Sequence, residues 1–85
     1  MVHFDVEDGR HLTLAIDFDI GLEPGDAESV LGRLSPNDLT SREVRVDVHG
    51  PTTDHDLLGD FLSAIDKRLR EWGKTVGMNI HVPSP

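Results

Sequence analysis

Over residues 12–20 the chain alternates without a break. Leu12, Leu14, Ile16, Phe18 and Ile20 are interleaved with Thr13, Ala15, Asp17 and Asp19, and His11 precedes the run in phase with the polar set. A period of two marks a strand with one face buried and the other wet. A strand covered by helices on both sides needs apolar residues at both parities, so this pattern argues against a doubly wound sheet. The same parity recurs in Val2, Phe4 and Val6, in Val44, Val46 and Val48, and in Met78, Ile80 and Val82. Even-numbered residues are apolar on every predicted strand, so whatever covers the sheet lies on one side.

Two segments carry helical spacing. After the loop Gly21-Leu22-Glu23-Pro24-Gly25, Ala27, Val30, Leu31 and Leu34 follow an i, i+3, i+4, i+7 pattern, with Asp26 as the expected N-cap and Ser35-Pro36-Asn37-Asp38 as the stop. A longer helix is expected over residues 53–72. Thr53 or Asp54 would cap it, Leu58, Phe61, Leu62, Ile65, Leu69 and Trp72 would form its apolar stripe, and Gly73 would end it. The predicted architecture is an α/β two-layer sandwich of order β-β-α-β-α-β, a four-stranded mixed sheet with two helices on one face. Each β-α-β step should be a right-handed crossover between parallel strands. Asp8-Gly9 marks a hairpin between the first two strands. A two-residue turn would put Val6 opposite His11, on the wrong face. A three-residue connection or a bulge, pairing Val6 with Leu12 and His3 with Ala15, is therefore expected.

At 85 residues the chain is read as a single domain over residues 1–82, with a loose tail at 83–85. It has no cysteine, which excludes disulfides, thiolate metal sites and a cysteine nucleophile. The absence of a signal-like start and of a long apolar run leads to a cytoplasmic expectation. Sixteen acidic against eight basic residues give a net charge of −8, which opposes binding to nucleic acid or anionic membrane and favours a partner protein with a basic surface. The charge is also bipolar: Lys67, Arg68, Arg70 and Lys74 gather late in the chain.

No phosphate loop, dinucleotide fingerprint or nucleophile elbow is present. His3, His49 and His81 fall on the polar face toward one edge, near Asp17 and Asp19, and a divalent metal site built from His3, His49, His81 and Asp17 or Asp19 is conceivable. None of these residues sits at a tight ligand spacing, and solvated strand positions explain them as well. No cofactor is expected. Asp5, Asp17, Asp19 and Asp47 share the polar face, but a flat sheet offers little concavity in which a carboxylate pair could do acid–base work, so the chain is read as a non-enzyme. The segment Thr52, Thr53, Asp54, His55, Asp56 joins the third strand to the long helix at the edge where open α/β sheets tend to bind ligands, and it is the expected partner-binding site.

Residues 44–82 resemble the STAS domain, the family of anti-sigma factor antagonists. The likeness lies in the strand Val46-Asp47-Val48-His49-Gly50, the loop running to Asp54-His55-Asp56, and the long helix and strand that follow. The family's phosphoacceptor serine falls at His55 or Asp56, and its following glycine at Leu57. The resemblance therefore implies protein docking around the start of the long helix, without the phosphorylation switch. Other roles open to such a chain are a small acidic subunit, inhibitor or immunity-type protein, a homodimer, or a module answering to metal or pH through its histidines.

Overall fold

The computed structural model describes residues 2–19, 21–52 and 54–82. Four strands, β1 (Val2–Asp8), β2 (Leu12–Phe18), β3 (Glu43–His49) and β4 (Thr75–His81), form one sheet in the order β1-β2-β3-β4. The hairpin β1–β2 is antiparallel, and β2–β3 and β3–β4 are parallel. Helix α1 (Asp26–Arg33) spans the first parallel crossover and α2 (His55–Glu71) the second. The order advances in one direction, so two right-handed crossovers put both helices on the same face. The expected two-layer α/β sandwich is the observed one. The tail at 83–85 lies outside the described residues.

The even-numbered parity closes the core. Leu12, Leu14, Ile16 and Phe18 from β2 and Val44, Val46 and Val48 from β3 are buried against Ala27, Val30 and Leu31 of α1 and Leu58, Phe61, Ile65 and Leu69 of α2. Phe18 meets Phe61 edge to face at 6.4 Å between ring centres, a preferred aromatic geometry. The odd-numbered strand residues form an open, uncovered face. No helix among the described residues is long and apolar enough to cross a membrane.

Three local expectations are corrected. The hairpin connection is three residues long as expected, but it is Gly9-Arg10-His11, and Val6 pairs with Leu14 and His3 with Asp17 rather than with Leu12 and Ala15. A shift of two keeps every side chain on its face while adding the pair Asp8–Leu12, so the buried pattern tolerates both registers. Asp26 does not cap α1. Gly25 occupies the N-cap position at φ 90°, and the Asp26 carboxylate instead accepts from the Glu23 N–H at 2.8 Å, folding back onto the loop. Helix α2 starts at His55, two residues later than expected. The Asp54 carboxylate caps it by accepting the Leu57 N–H at 2.9 Å; Thr53, the other capping candidate, lies outside the described residues.

Two side chains tie loops to the sheet. Lys74, just before β4, donates to the carbonyls of Leu39 and Ser41 at 2.7 and 2.9 Å, fixing the end of α2 against the segment leading into β3. Arg33, at the end of α1, donates to the Val2 carbonyl at 3.3 Å and lies over the Phe4 ring at 5.2 Å, so it covers the outer edge of β1.

Candidate functional site at the C-terminal rim of the sheet

The parallel strands β2 and β3 end at one rim, and the loops that follow them deliver both helix N-termini to that same rim. Gly50 makes this tight hand-over feasible. It has φ +143°, and a Cβ placed there would lie 2.5 Å from Cδ2 of the Phe18 ring and would also collide with the Phe18 carbonyl oxygen. Beyond it, Thr52 is buried, and its hydroxyl accepts the Asp54 N–H at 3.2 Å, which orders the turn into α2. Of the expected partner-binding residues, Thr52 is therefore internal to the loop, Asp54 is exposed but engaged as a cap, and His55 and Asp56 are exposed and pointed outward from the first turn. Thr53 lies outside the described residues.

On the open face beside this rim the register assembles a row across all four strands: His3 opposite Asp17, Asp17 opposite His49, and His49 opposite His81. Adjacent strands lie about 4.8 Å apart, so the row spans about 14 Å. The residues expected to gather do gather, but not around a point. His3 Nε2 lies 3.0 Å from an Asp19 carboxylate oxygen, a pair open to solvent on both sides. The His49 and His81 rings are stacked, 4.6 Å between centres and 9° from parallel. A metal must lie near the plane of each imidazole that ligates it, and two nearly parallel planes share no such point. Among the described residues, no three His, Asp or Glu side chains converge to hold a metal ion. A shallow depression of about 220 Å³ sits over the small Ala15, bordered by His3, Asp5, Asp17 and His49. Asp47, one row further in, accepts from the Asn79 amide at 3.1 Å.

The cations are distributed unevenly along the strand axis. Asp17, Asp19, Glu23, Asp26, Asp54 and Asp56 all lie at the C-terminal rim. Arg33 apart, the lysines and arginines lie toward the other end. Arg10 is in the hairpin turn, Arg42 and Arg45 are at the entry to β3, and Lys67, Arg68, Arg70 and Lys74 are on the later part of α2 and just past it. On the helix side the acidic rim continues into a groove between the starts of α1 and α2, about 240 Å³, lined by Glu23, Asp26, Glu28 and Asp60 over Leu57 and Phe61. The rim is thus almost purely acidic, whereas the other end mixes its cations with Glu7, Asp8, Asp38, Glu43, Asp66 and Glu71.

Compared with known family models, with curated proteins and with solved structures, the chain matches none.

Proposed function

We propose that the chain is a non-enzymatic protein-interaction module, STAS-like in its strand–loop–helix–strand pattern, which docks a basic-surfaced partner protein at its C-terminal rim around residues 52–56. The observation that carries this reading is the concentration of exposed carboxylates at the rim where the strands end and the helices begin, with nearly all the cations at the other end. Such a surface steers a basic partner by long-range attraction and orients it on arrival. The relief is shallow and open, which suits a flat contact better than a buried small substrate. His55 and Asp56 project from the start of α2, held there by the Asp54 cap and the Thr52 turn.

The test is affinity capture from the native host with the natural chain and with a rim variant combining Asp19→Asn, His55→Ala and Asp56→Asn, which leaves the cap and the core untouched. The reading expects a partner retained at low salt by the natural chain, released as salt rises, and lost by the variant. Retention of the same proteins by both chains, or of none by either, defeats it.

A further inference from the structure

The two edges of the sheet are treated differently. Edge strands expose unpaired N–H and C=O groups, and proteins ordinarily blunt them with charge, proline, bulges or a covering segment. The β1 edge is blunted twice over. It carries Asp5, Glu7 and Asp8, and Arg33 lies across it, taking the Val2 carbonyl and covering Phe4. The β4 edge, Thr75-Val76-Gly77-Met78-Asn79-Ile80-His81, holds no Asp, Glu, Lys or Arg and no proline. It pairs with β3 at every residue, so it has no bulge. Its core-side residues are also less covered than those of β2 and β3: Val76 and Met78 are half-buried, and Ile80 is 46% exposed.

The orientation of the free backbone groups follows from two bonds. The Thr75 N–H donates to Arg42 on the β3 side, and the His81 carbonyl accepts from Gly50 on the same side. Odd residues of β4 therefore turn their backbone groups inward, and Val76, Met78 and Ile80 turn theirs outward. We infer that β4 pairs antiparallel with β4 of a second copy of this chain, joining two sheets into one of eight strands about a two-fold axis at Met78.

That register puts Met78 opposite Met78 and Val76 opposite Ile80, all with outward-facing groups, and Gly77 opposite Asn79 on the open face. It keeps apolar side with apolar side. The alternatives are worse. Pairing β1 with β1 sets acids against acids, and pairing β1 with β4 leaves a bare edge at each end and propagates without closure. Leu62 adds to the covered strip. It is half-buried on α2, and the groove toward α1 is lined by Leu57, Phe61, Ala64 and Arg68, so Leu62 lies on the flank turned away from α1. The interface is separate from the docking rim, and the inference does not rest on the proposed function.

The test is light scattering coupled to size exclusion on the full chain, with a cross-link as a second readout. The natural chain should have twice the 9.4 kDa mass of one copy. Ile80→Lys, at an exposed position the monomer tolerates, should return it to the mass of one, and Asp5→Lys on the opposite edge should leave the dimer intact. The chain has no cysteine, so Met78→Cys introduces one thiol per copy. Residues facing each other in a hydrogen-bonded antiparallel pair have Cα atoms about 5.5 Å apart, within disulfide reach. Oxidation should therefore link Met78→Cys into dimers but not Thr75→Cys, whose two copies would stand six residues out of register, about 20 Å apart. A monomeric natural chain, a dimer that survives Ile80→Lys, or a dimer that Asp5→Lys dissolves would each overturn the inference.

Discussion

Replacing Gly50 by alanine separates two ways in which a glycine can matter. At φ +143° a side chain is strained whatever the space around it, a cost of about 1–3 kcal/mol. The space is also taken. The new methyl would meet the backbone oxygen and ring of Phe18, a fully buried residue packed against Phe61, so the obstacle cannot swing aside. Overpacking of this kind costs a further ~1–3 kcal/mol. Together the loss should be about 2–6 kcal/mol, against a total stability of ~4–13 kcal/mol for a domain of 85 residues. Urea unfolding followed by the single Trp72, half-buried at the end of α2, reports it directly. With a slope of about 1–1.5 kcal/mol per molar urea, the midpoint should fall by about 1–6 M, or the protein should fail to fold. Gly32→Ala is the matched control. It lies in α1 with nothing within 4 Å of its added methyl, and it should gain about 0.5–1 kcal/mol from helix propensity. A Gly50→Ala midpoint indistinguishable from the natural one would refute the close-approach argument, since neither the backbone nor the contact would then be costing anything.

Further outcomes follow from single contacts. Lys74→Ala removes two charge-assisted bonds to carbonyls and should destabilise the fold by about 1.5–3 kcal/mol, read as a lower melting temperature in circular dichroism. Asp54→Ala removes the α2 cap and should cost ~1 kcal/mol, and Asp54→Asn should restore most of it in the same assay. Leu39→Ala empties a buried site between α1 and β3 and should cost ~2–5 kcal/mol in urea unfolding, whereas Thr40→Ala at the exposed neighbouring position should change little.

Much of this architecture was legible in the residues, because burial on one side leaves a parity that needs no partner to be read. Even-numbered Val, Ile, Leu and Phe on each strand announced a single covered face, and i, i+3, i+4 spacing placed both helices. The offset of the hairpin was not legible. Pairing His3 with Ala15 or with Asp17 buries the same side chains, so a hydrophobic pattern cannot distinguish registers that differ by two. The stacking of His49 on His81 depended on β4 lying next to β3 at zero offset, and no local signal carries strand order. The Lys74 bonds and the Arg33 cover over Val2 and Phe4 join residues about thirty or more positions apart, where periodicity is silent. Gly50 left a trace, a glycine directly after an alternating run, but such a trace marks a strand end as readily as a collision with Phe18.

The hand-over at Gly50 also divides labour between the two ends of the molecule. At one end, Lys74 binds the segment leading into β3 to the frame, and the hairpin turn is only three residues long. At the other, the loops at 19–25 and 50–54 rest on the frame through a few fixed points: Gly25 and Gly50 by backbone shape, Leu22 and Thr52 by burial. Gly21, also at positive φ, and the α2 cap Asp54 belong with these anchors, while exposed positions such as Glu23, Pro24 and Pro51 can vary with the sandwich beneath them keeping its shape. A chain built this way is suited to having the exposed positions of its recognition loops rewritten, whether by natural divergence or by a loop library, with Gly21, Leu22, Gly25, Gly50, Thr52 and Asp54 held constant.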